Sequence, residues 1–248
     1  MRIRGLIFDL GHTLIELPAD PEGLRREMYA AARSALSRHG IRVEAQAFGA
    51  ALERWMALRY GRWQEDWREY PLVETFGLAL AELGYPGTPE AILRETVRAF
   101  LAPQEARWRL FPDALPTLDQ LKRRGYRLAL LTNSGDADHS WRLIRRFGLQ
   151  TYFDPIVISA AVGWRKPHPA LFEGIAATWG LPPEAIAVVG DLPEADIRGA
   201  HLAGMRGIWT AMVAGTSALT GAIRPDAVIR SLSEIPAILD RWADGAEA

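Results

Sequence analysis

Cysteine is absent from this chain of 248 residues. Its absence excludes disulfide bonds, iron–sulfur clusters, zinc–thiolate sites and cysteine nucleophiles within the chain. A chain of this length can bury a core large enough to fold without cross-links. Hydrophobic residues make up 49% of the sequence, which is typical of a globular protein. We therefore expect an ordinary hydrophobic core to stabilise the fold.

Lysine is scarce, because only Lys122 and Lys166 among the 29 basic residues are lysines. The formal net charge is −1, so no overall field attracts nucleic acid or a membrane surface. Arginine pairs well with carboxylates, so this composition suits surface ion-pair networks. In so lysine-poor a chain, Lys166 in its Lys-Pro context is a candidate functional residue.

Long apolar runs are also missing. No segment approaches the roughly 18 continuous apolar residues of a membrane span. The short apolar stretch near the first residue ends at Asp9, and no signal-peptide cleavage pattern follows it. We therefore expect a cytoplasmic protein with no membrane partner.

Apolar periodicity divides the chain into two kinds of structure. Residues 3–10 form a short apolar run that predicts a buried strand. Helical spacing of apolar residues follows over 24–39, 45–60 and 71–83, with Gly40 as a stop. Thr88 followed by Pro89 predicts an N-cap and the first position of a fourth helix.

After Pro112, apolar runs of strand length alternate with helical stretches that end at glycine. The runs lie at 127–131, 155–158, 185–189, 207–212 and 227–229. Such alternation indicates a parallel sheet with helices on both faces. We predict an α/β fold, with a doubly wound, Rossmann-like core at 1–15 and 112–248 and an inserted helical cap at 16–111.

Polar side chains follow several of the predicted strands, where ligands bind in open parallel sheets. Asp9 closes the first strand, Thr132 and Asn133 follow the second, and Asp191 follows the fourth. Lys166 precedes a helix that Pro167 or Pro169 would open, and a helix N-terminus favours anions. The sequence thus predicts carboxylates, a hydroxyl and an ammonium in one crevice.

Four segments of the chain resemble the ordered motifs of the haloacid dehalogenase-like hydrolase superfamily. They are FDLGHTL at 8–14, LLTNS at 130–134, RKP at 165–167 and VGDLPEAD at 189–196. Their order, spacing and strand placement match the family over almost the whole core. The helical insertion after the first motif is similar to the small cap of the family's phosphatases.

The resemblance implies a phosphatase that acts on a small phosphorylated substrate. Asp9 would attack phosphorus and form an aspartyl-phosphate. Thr132 and Asn133 would bind a phosphoryl oxygen, and Lys166 would neutralise charge on Asp9 and on the phosphoryl group.

The resemblance also implies Mg²⁺, which prefers hard oxygen ligands. Its ligands would be the carboxylates of Asp9 and Asp191 and the backbone carbonyl of Gly11. Asp196, five residues after Asp191, would support the site from the first turn of the next helix.

Gly11 departs from the family pattern, in which phosphatases carry a second aspartate two residues after the nucleophile as general acid. Glycine keeps the backbone carbonyl for the metal but supplies no acid. His12 is the nearest titratable substitute, and His139 and His168 are more distant candidates.

The predicted cap carries an aromatic and arginine-rich stretch over residues 55–70, in which we expect Arg59 and Trp63 to contact substrate. Three other functions are alternatives to a phosphatase. A metal-independent haloacid dehalogenase is disfavoured because Asp191 would repel a carboxylate substrate. Phosphonate hydrolysis needs a cap lysine, and residues 16–111 contain none. A non-catalytic binding protein stays open because of Gly11. The sequence does not predict an oligomeric state.

Overall fold

The computed structural model describes residues 2–18, 20–213 and 223–245, which fold into two compact units. The core unit comprises Met1–Glu16, Arg109–Asn133 and Ile144–Ala248. The helical unit comprises Leu17–Trp108 and Ser134–Leu143. It therefore includes a second short segment, Ser134–Leu143, which the sequence-based boundaries assign to the core. Each described helix is too short or too polar to cross a bilayer.

The core unit is built on a six-stranded sheet whose strands are all parallel. These strands are β1 Gly5–Phe8, β4 Arg127–Thr132, β5 Ile156–Ile158, β6 Ile186–Gly190, β7 Arg206–Thr210 and β8 Ala227–Ile229, in the spatial order β5-β4-β1-β6-β7-β8. Two short strands, β2 Ile15–Glu16 and β3 Arg109–Leu110, form a separate antiparallel pair. The prediction of a doubly wound α/β fold is confirmed.

Helices of the core unit lie between strands along the chain, except for the last helix, which follows β8. They are α5 Ala114–Arg123, α6 Ala137–Arg146 (which begins in the helical unit), α7 Ser159–Val162, α8 Pro169–Trp179, α9 Arg198–Leu202 and α10 Ile235–Ala243. All residues of β1 and β6 are buried, as expected for strands covered on both faces. Phe172 and Trp179 of α8 belong to the core cluster that packs on this sheet around Ile7 and Val188.

The helical unit has its own hydrophobic core. Its helices are α1 Pro21–Arg38, α2 Ala45–Asp66, α3 Leu72–Glu82 and α4 Glu90–Arg107. Phe76 lies at its centre, with its ring centroid 6.1 Å from that of Phe48 and 5.2 Å from that of Phe100, both in edge-on geometry. The start predicted for the fourth helix is wrong by one residue. Pro89 has the extended ψ of 139° and is itself the N-cap, so the helix begins at Glu90.

The order of the strands determines where a ligand site can form. After β1 the chain adds β4 and β5 on one side of it, then crosses over to add β6, β7 and β8 on the other. The direction of winding therefore changes between β1 and β6, and the crevice at such a switch point lies outside the carboxyl ends of the strands. Asp9 follows β1 at this point.

Two helical glycines offer a test of the core packing. A Cβ on Gly199 of α9 would lie 2.4 Å from the Phe172 ring and 3.2 Å from the Pro167 Cα atom, whereas one on Gly174 of α8 would meet nothing within 4 Å. We expect Gly199→Ala to lower the free energy of unfolding by about 1–3 kcal/mol through overpacking. Gly174→Ala, the matched control, should raise it by up to about 1 kcal/mol. Urea titration measures both, and equal midpoints would contradict the packing described.

Candidate active site

Asp9 is the first residue after β1, and it is buried with 8% of its surface exposed. Its backbone N–H donates to the carbonyl of Val189 at 2.9 Å, which aligns it with the end of β6. A tight turn follows, in which the Leu14 and Ile15 amides both donate to the Leu10 carbonyl. His12 takes a left-handed conformation within this turn, with φ of 55°. The turn therefore holds Asp9 and Gly11 at the switch point of the sheet.

Lys166 supplies the cation of the site. Its ammonium donates to Asp9 Oδ1 at 2.5 Å and to Asp196 Oδ1 at 2.6 Å, and only 4% of the residue is exposed. Burial alone would lower the pKa of Lys166, but the charges of Asp196 and Asp9 outweigh it and raise the pKa above its ordinary value. Lys166 is therefore fully charged at neutral pH and links two carboxylates that are distant in sequence.

Asn133, the only asparagine of the chain, holds the backbone of Lys166. Its Oδ1 accepts from the Lys166 N–H at 2.9 Å, and its Nδ2 donates to the Lys166 carbonyl at 3.1 Å. One side chain thus satisfies both the backbone N–H and the backbone carbonyl of the lysine. Local sequence does not reveal this positioning contact, and the phosphoryl contact that the family resemblance implies for Asn133 stays a prediction.

Asp196 approaches the site through a gap that only glycine leaves open. Its Oδ2 accepts from the Leu192 N–H at 3.0 Å while Oδ1 faces Lys166. A Cβ on Gly190 would lie 2.1 Å from the Asp196 Cγ atom, so any larger residue there would displace the carboxylate. Asp196 lies in the turn Pro193–Ile197, which leads directly into α9.

The buried carboxylates outnumber the ammonium. Asp9, Asp191 and Asp196 are all at most 8% exposed and lie close enough to Lys166 and to one another for their charges to interact. Burial, then the charges of Asp9 and Asp196, raise the pKa of Asp191 well above its usual range. Burial likewise raises the pKa of Asp196, although Lys166 opposes the shift. Among these four described groups, carboxylates outnumber the ammonium by three to one, and a further cation would relieve their mutual repulsion.

The donor set fits a small hard cation with few protein ligands. No group of three or more His, Asp or Glu side chains in the described part of the chain is arranged to hold a metal ion. Asp196 is directed towards Lys166 and Leu192, which leaves two carboxylates, those of Asp9 and Asp191, with the Gly11 carbonyl in the adjacent turn. Magnesium commonly binds through one or two carboxylates and keeps several waters. These residues therefore suit Mg²⁺.

Thr132 and His12 complete the residues around Asp9. Thr132 ends β4 and is 5% exposed, and its hydroxyl forms no hydrogen bond with any described residue. Burial lowers the pKa of His12, with an opposing effect of Glu16. Gly11 is not among the described glycines with positive φ, so the backbone conformation does not require glycine at this position.

The two distant histidines have other contacts. His139 of the helical unit pairs with Glu105 through Nδ1 at 2.9 Å. His168 caps α8, with Nδ1 accepting from the Ala170 N–H at 3.2 Å. Each histidine thus has a contact that helps to hold the fold, and a part for either in proton transfer stays a prediction.

Arg59 and Trp63 lie on α2 within the helical unit. The Arg59 guanidinium is 7% exposed and donates to the Pro71 carbonyl at 2.9 Å and to Thr75 Oγ1 at 2.8 Å. It also pairs with Glu74 at 2.9 Å. Trp63 is half-buried and packs edge-on against Tyr60, with ring centroids 5.7 Å apart. Arg59 thus ties α2 to α3, and substrate contact by either residue stays a prediction.

Comparison with known proteins gives several matches of different extent. A family model described as haloacid dehalogenase-like hydrolase matches residues 3–204. Phosphoserine phosphatase of Thermus thermophilus is 41% identical over 147 residues, 59% of this chain and 55% of that protein. Glyceraldehyde 3-phosphate phosphatase of Pyrococcus furiosus is 29% identical over 209 residues, 84% of this chain and 80% of that protein. The match to the Thermus thermophilus phosphatase thus spans little more than half of that protein's length.

A solved structure matches over nearly the full length. The 2-haloacid dehalogenase from Pseudomonas syringae pv. tomato is 27% identical, with a TM-score of 0.72 over 97% of this chain and 99% of that one. The family model covers most of the chain, and the structure brings Asp9, Lys166, Asp191 and Asp196 of the family-like motifs together. The chain belongs to the haloacid dehalogenase-like hydrolases.

Proposed function

We propose that this hydrolase is a magnesium-dependent phosphomonoesterase that forms an aspartyl-phosphate on Asp9. The observation that carries the proposal is the buried contact of Lys166 with Asp9 and Asp196, beside the carboxylate of Asp191. A phosphoryl group is an anion, and it can approach these carboxylates only where cations offset their charge. Two relatives named as phosphatases, one of phosphoserine and one of glyceraldehyde 3-phosphate, support a small phosphorylated metabolite as substrate.

Each residue of the site has a defined part in this reaction. A carboxylate oxygen of Asp9 forms a bond to phosphorus as the bond to the leaving oxygen breaks. Lys166 orients Asp9 and offsets negative charge on the phosphoryl oxygens, towards which Thr132 donates its hydroxyl. Bound Mg²⁺, held by Asp9, Asp191 and the Gly11 carbonyl, would supply further charge stabilisation for the transferred group.

The second half of the reaction releases phosphate. Water attacks the phosphorus of the aspartyl-phosphate, the bond to Asp9 breaks, and the carboxylate is regenerated. Because residue 11 is glycine, no carboxyl lies two residues after Asp9 to protonate the leaving oxygen or to activate this water. The leaving group must then take its proton from solvent or from another side chain such as His12.

A haloacid dehalogenase is the second candidate, since the solved structure of 27% identity carries that name. Displacement of halide by a carboxylate requires an anionic substrate to approach Asp9 without metal. The buried Asp191 and Asp196 oppose this approach. Chloride release from 2-chloropropionate in excess EDTA, without phosphatase activity, would favour the dehalogenase.

The first prediction concerns the nucleophile and the cation. Asp9→Asn should reduce kcat to below about one-thousandth with p-nitrophenyl phosphate, phosphoserine or glyceraldehyde 3-phosphate. Its melting temperature should be unchanged or higher, because Asn keeps an acceptor for Lys166 while one of three buried carboxylates is neutralised. EDTA should abolish wild-type turnover, and added Mg²⁺ should restore it.

Asp244→Asn is the matched control, since Asp244 is exposed at the end of α10 and forms no side-chain contact with the described residues. It should retain full activity. Turnover by Asp9→Asn, or full wild-type activity in EDTA, would rule out the proposed mechanism.

The second prediction follows from Gly11. General acid catalysis contributes about 10²–10⁴-fold and matters most for basic leaving groups. The wild type should therefore prefer aryl over alkyl phosphates. Rapid mixing with p-nitrophenyl phosphate should show a burst of nitrophenol close to one equivalent per enzyme, because the aspartyl-phosphate hydrolyses slowly.

Gly11→Asp should shrink this burst and speed steady turnover, most of all for alkyl phosphates. Gly11→Ala adds the Cβ without the carboxyl and is the control, which should keep the burst. If His12 already supplies the proton, the wild type should show no burst, and His12→Asn, which tolerates the same backbone conformation, should create one. That result would refute the missing-acid explanation without affecting the phosphatase assignment.

A further inference from the structure

A polar cavity lies in the core unit at the amino ends of β1 and β4, the end of the sheet opposite to Asp9. It has a volume of about 300 Å³, and four arginines line it, namely Arg2, Arg4, Arg124 and Arg127. Ile3 and Leu181, both buried, contribute apolar surface, and Tyr126 is half-buried beside them. Arginines contribute four of its eight lining residues, and none of the eight is acidic.

The cavity is separate from the site around Asp9. Arg4 immediately precedes β1, Arg127 is the first residue of β4, and Asp9 follows the last residue of β1. Five residue steps along an extended strand place Arg4 about 16 Å from Asp9. The arginines therefore lie at the amino ends of the strands. They take no part in the proposed reaction, which occurs at the carboxyl ends.

Two of the four arginines are fixed in place. Both terminal nitrogens of Arg124 donate hydrogen bonds to the Asp240 carboxylate, at 3.0 and 2.9 Å. Arg127 Nη1 donates to the Trp179 carbonyl at 2.9 Å. The backbone N–H of Arg127 also donates to the carbonyl of Arg4 at 3.0 Å. A guanidinium has five N–H donors, so each of these arginines keeps donors that the contacts do not use.

The other two arginines lack such partners. Neither Arg2 nor Arg4 forms a hydrogen bond or ion pair through its side chain with any residue that the structure describes. Hydrogen bonds from Arg124 chiefly hold the pKa of Asp240 below its usual range, and the positive charge of Arg2 adds a smaller effect. Among the described residues, Asp240 is the one carboxylate that forms an ion pair with these four guanidinium groups, so three of the four are not paired.

We propose that this cavity binds a small anion with two phosphoryl groups, of the diphosphate or bisphosphate class. The guanidinium fork matches phosphoryl oxygens and forms strong, charge-assisted hydrogen bonds with them. A diphosphate carries about three negative charges at neutral pH, which balances the excess positive charge. The volume is at the lower end for small-molecule pockets, so a compact anion fits and a large cofactor does not.

Binding of a diphosphate-like anion can be measured without turnover at the active site. Methylenediphosphonate, which cannot be hydrolysed, is titrated calorimetrically in EDTA and low salt, where the carboxylates of the active site repel anions. Wild-type protein should bind one equivalent, more weakly as salt is raised. The double variant Arg2→Gln/Arg4→Gln, or Arg4→Gln alone, should weaken binding at least about tenfold by loss of charge-assisted hydrogen bonds.

Arg98→Gln is the matched control, because Arg98 is an exposed arginine of α4 that forms no side-chain contact with the described residues. It should bind like the wild type, and all variants should melt at the wild-type temperature. Absence of binding, unchanged affinity in the double variant, or equal weakening by Arg98→Gln would each overturn the proposal. Stronger binding in Asp9→Asn would place the anion in the active site, where loss of a repelling carboxylate favours it, and would also overturn the proposal.

Discussion

The buried ammonium of Lys166 is the interaction on which the site depends. A buried charge is costly unless it is paired, and removal of one partner leaves an uncompensated ion. Lys166 meets this condition by donating to Asp9 and Asp196 from a single nitrogen. Asn133 fixes the lysine backbone, and Gly190 leaves room for Asp196. A compact ammonium suits this geometry better than a planar guanidinium, which explains a lysine in an arginine-rich chain.

The same cluster is charged beyond what one lysine can neutralise. Three buried carboxylates converge where the winding of the sheet reverses, although their mutual repulsion opposes the fold. Such destabilised arrangements are typical of functional sites, where the strain serves binding or catalysis. In the proposed reaction, this negative charge would favour a divalent cation and, with it, a phosphoryl group. The fold would be more stable without a charge at Asp191, whereas the proposed reaction needs a charged carboxylate there to hold the cation.

The two ends of the sheet carry charges of opposite sign. Aspartates lie at the carboxyl ends of the strands, whereas four arginines surround a cavity at the amino ends. The formal net charge of −1 conceals this separation, because the two groups largely cancel in the sum. Local arrangement of charge, more than its total, determines which anions a protein attracts and where.

The sequence by itself determined the parallel sheet, its strands to within one or two residues at most ends, and the residues of the four motifs. Buried strands read as apolar runs, and glycine or proline marks the helix boundaries, so these features are local in the chain. Tertiary structure alone decided the rest. Asn133 and Lys166 are 33 residues apart, and their contact depends on the register of the sheet. The arginine cavity likewise forms only because β1 pairs with β4, which places residues 2–4 beside residues 124–127. Local patterns carry no information about such contacts, because pairing between distant segments is fixed by packing of the whole core.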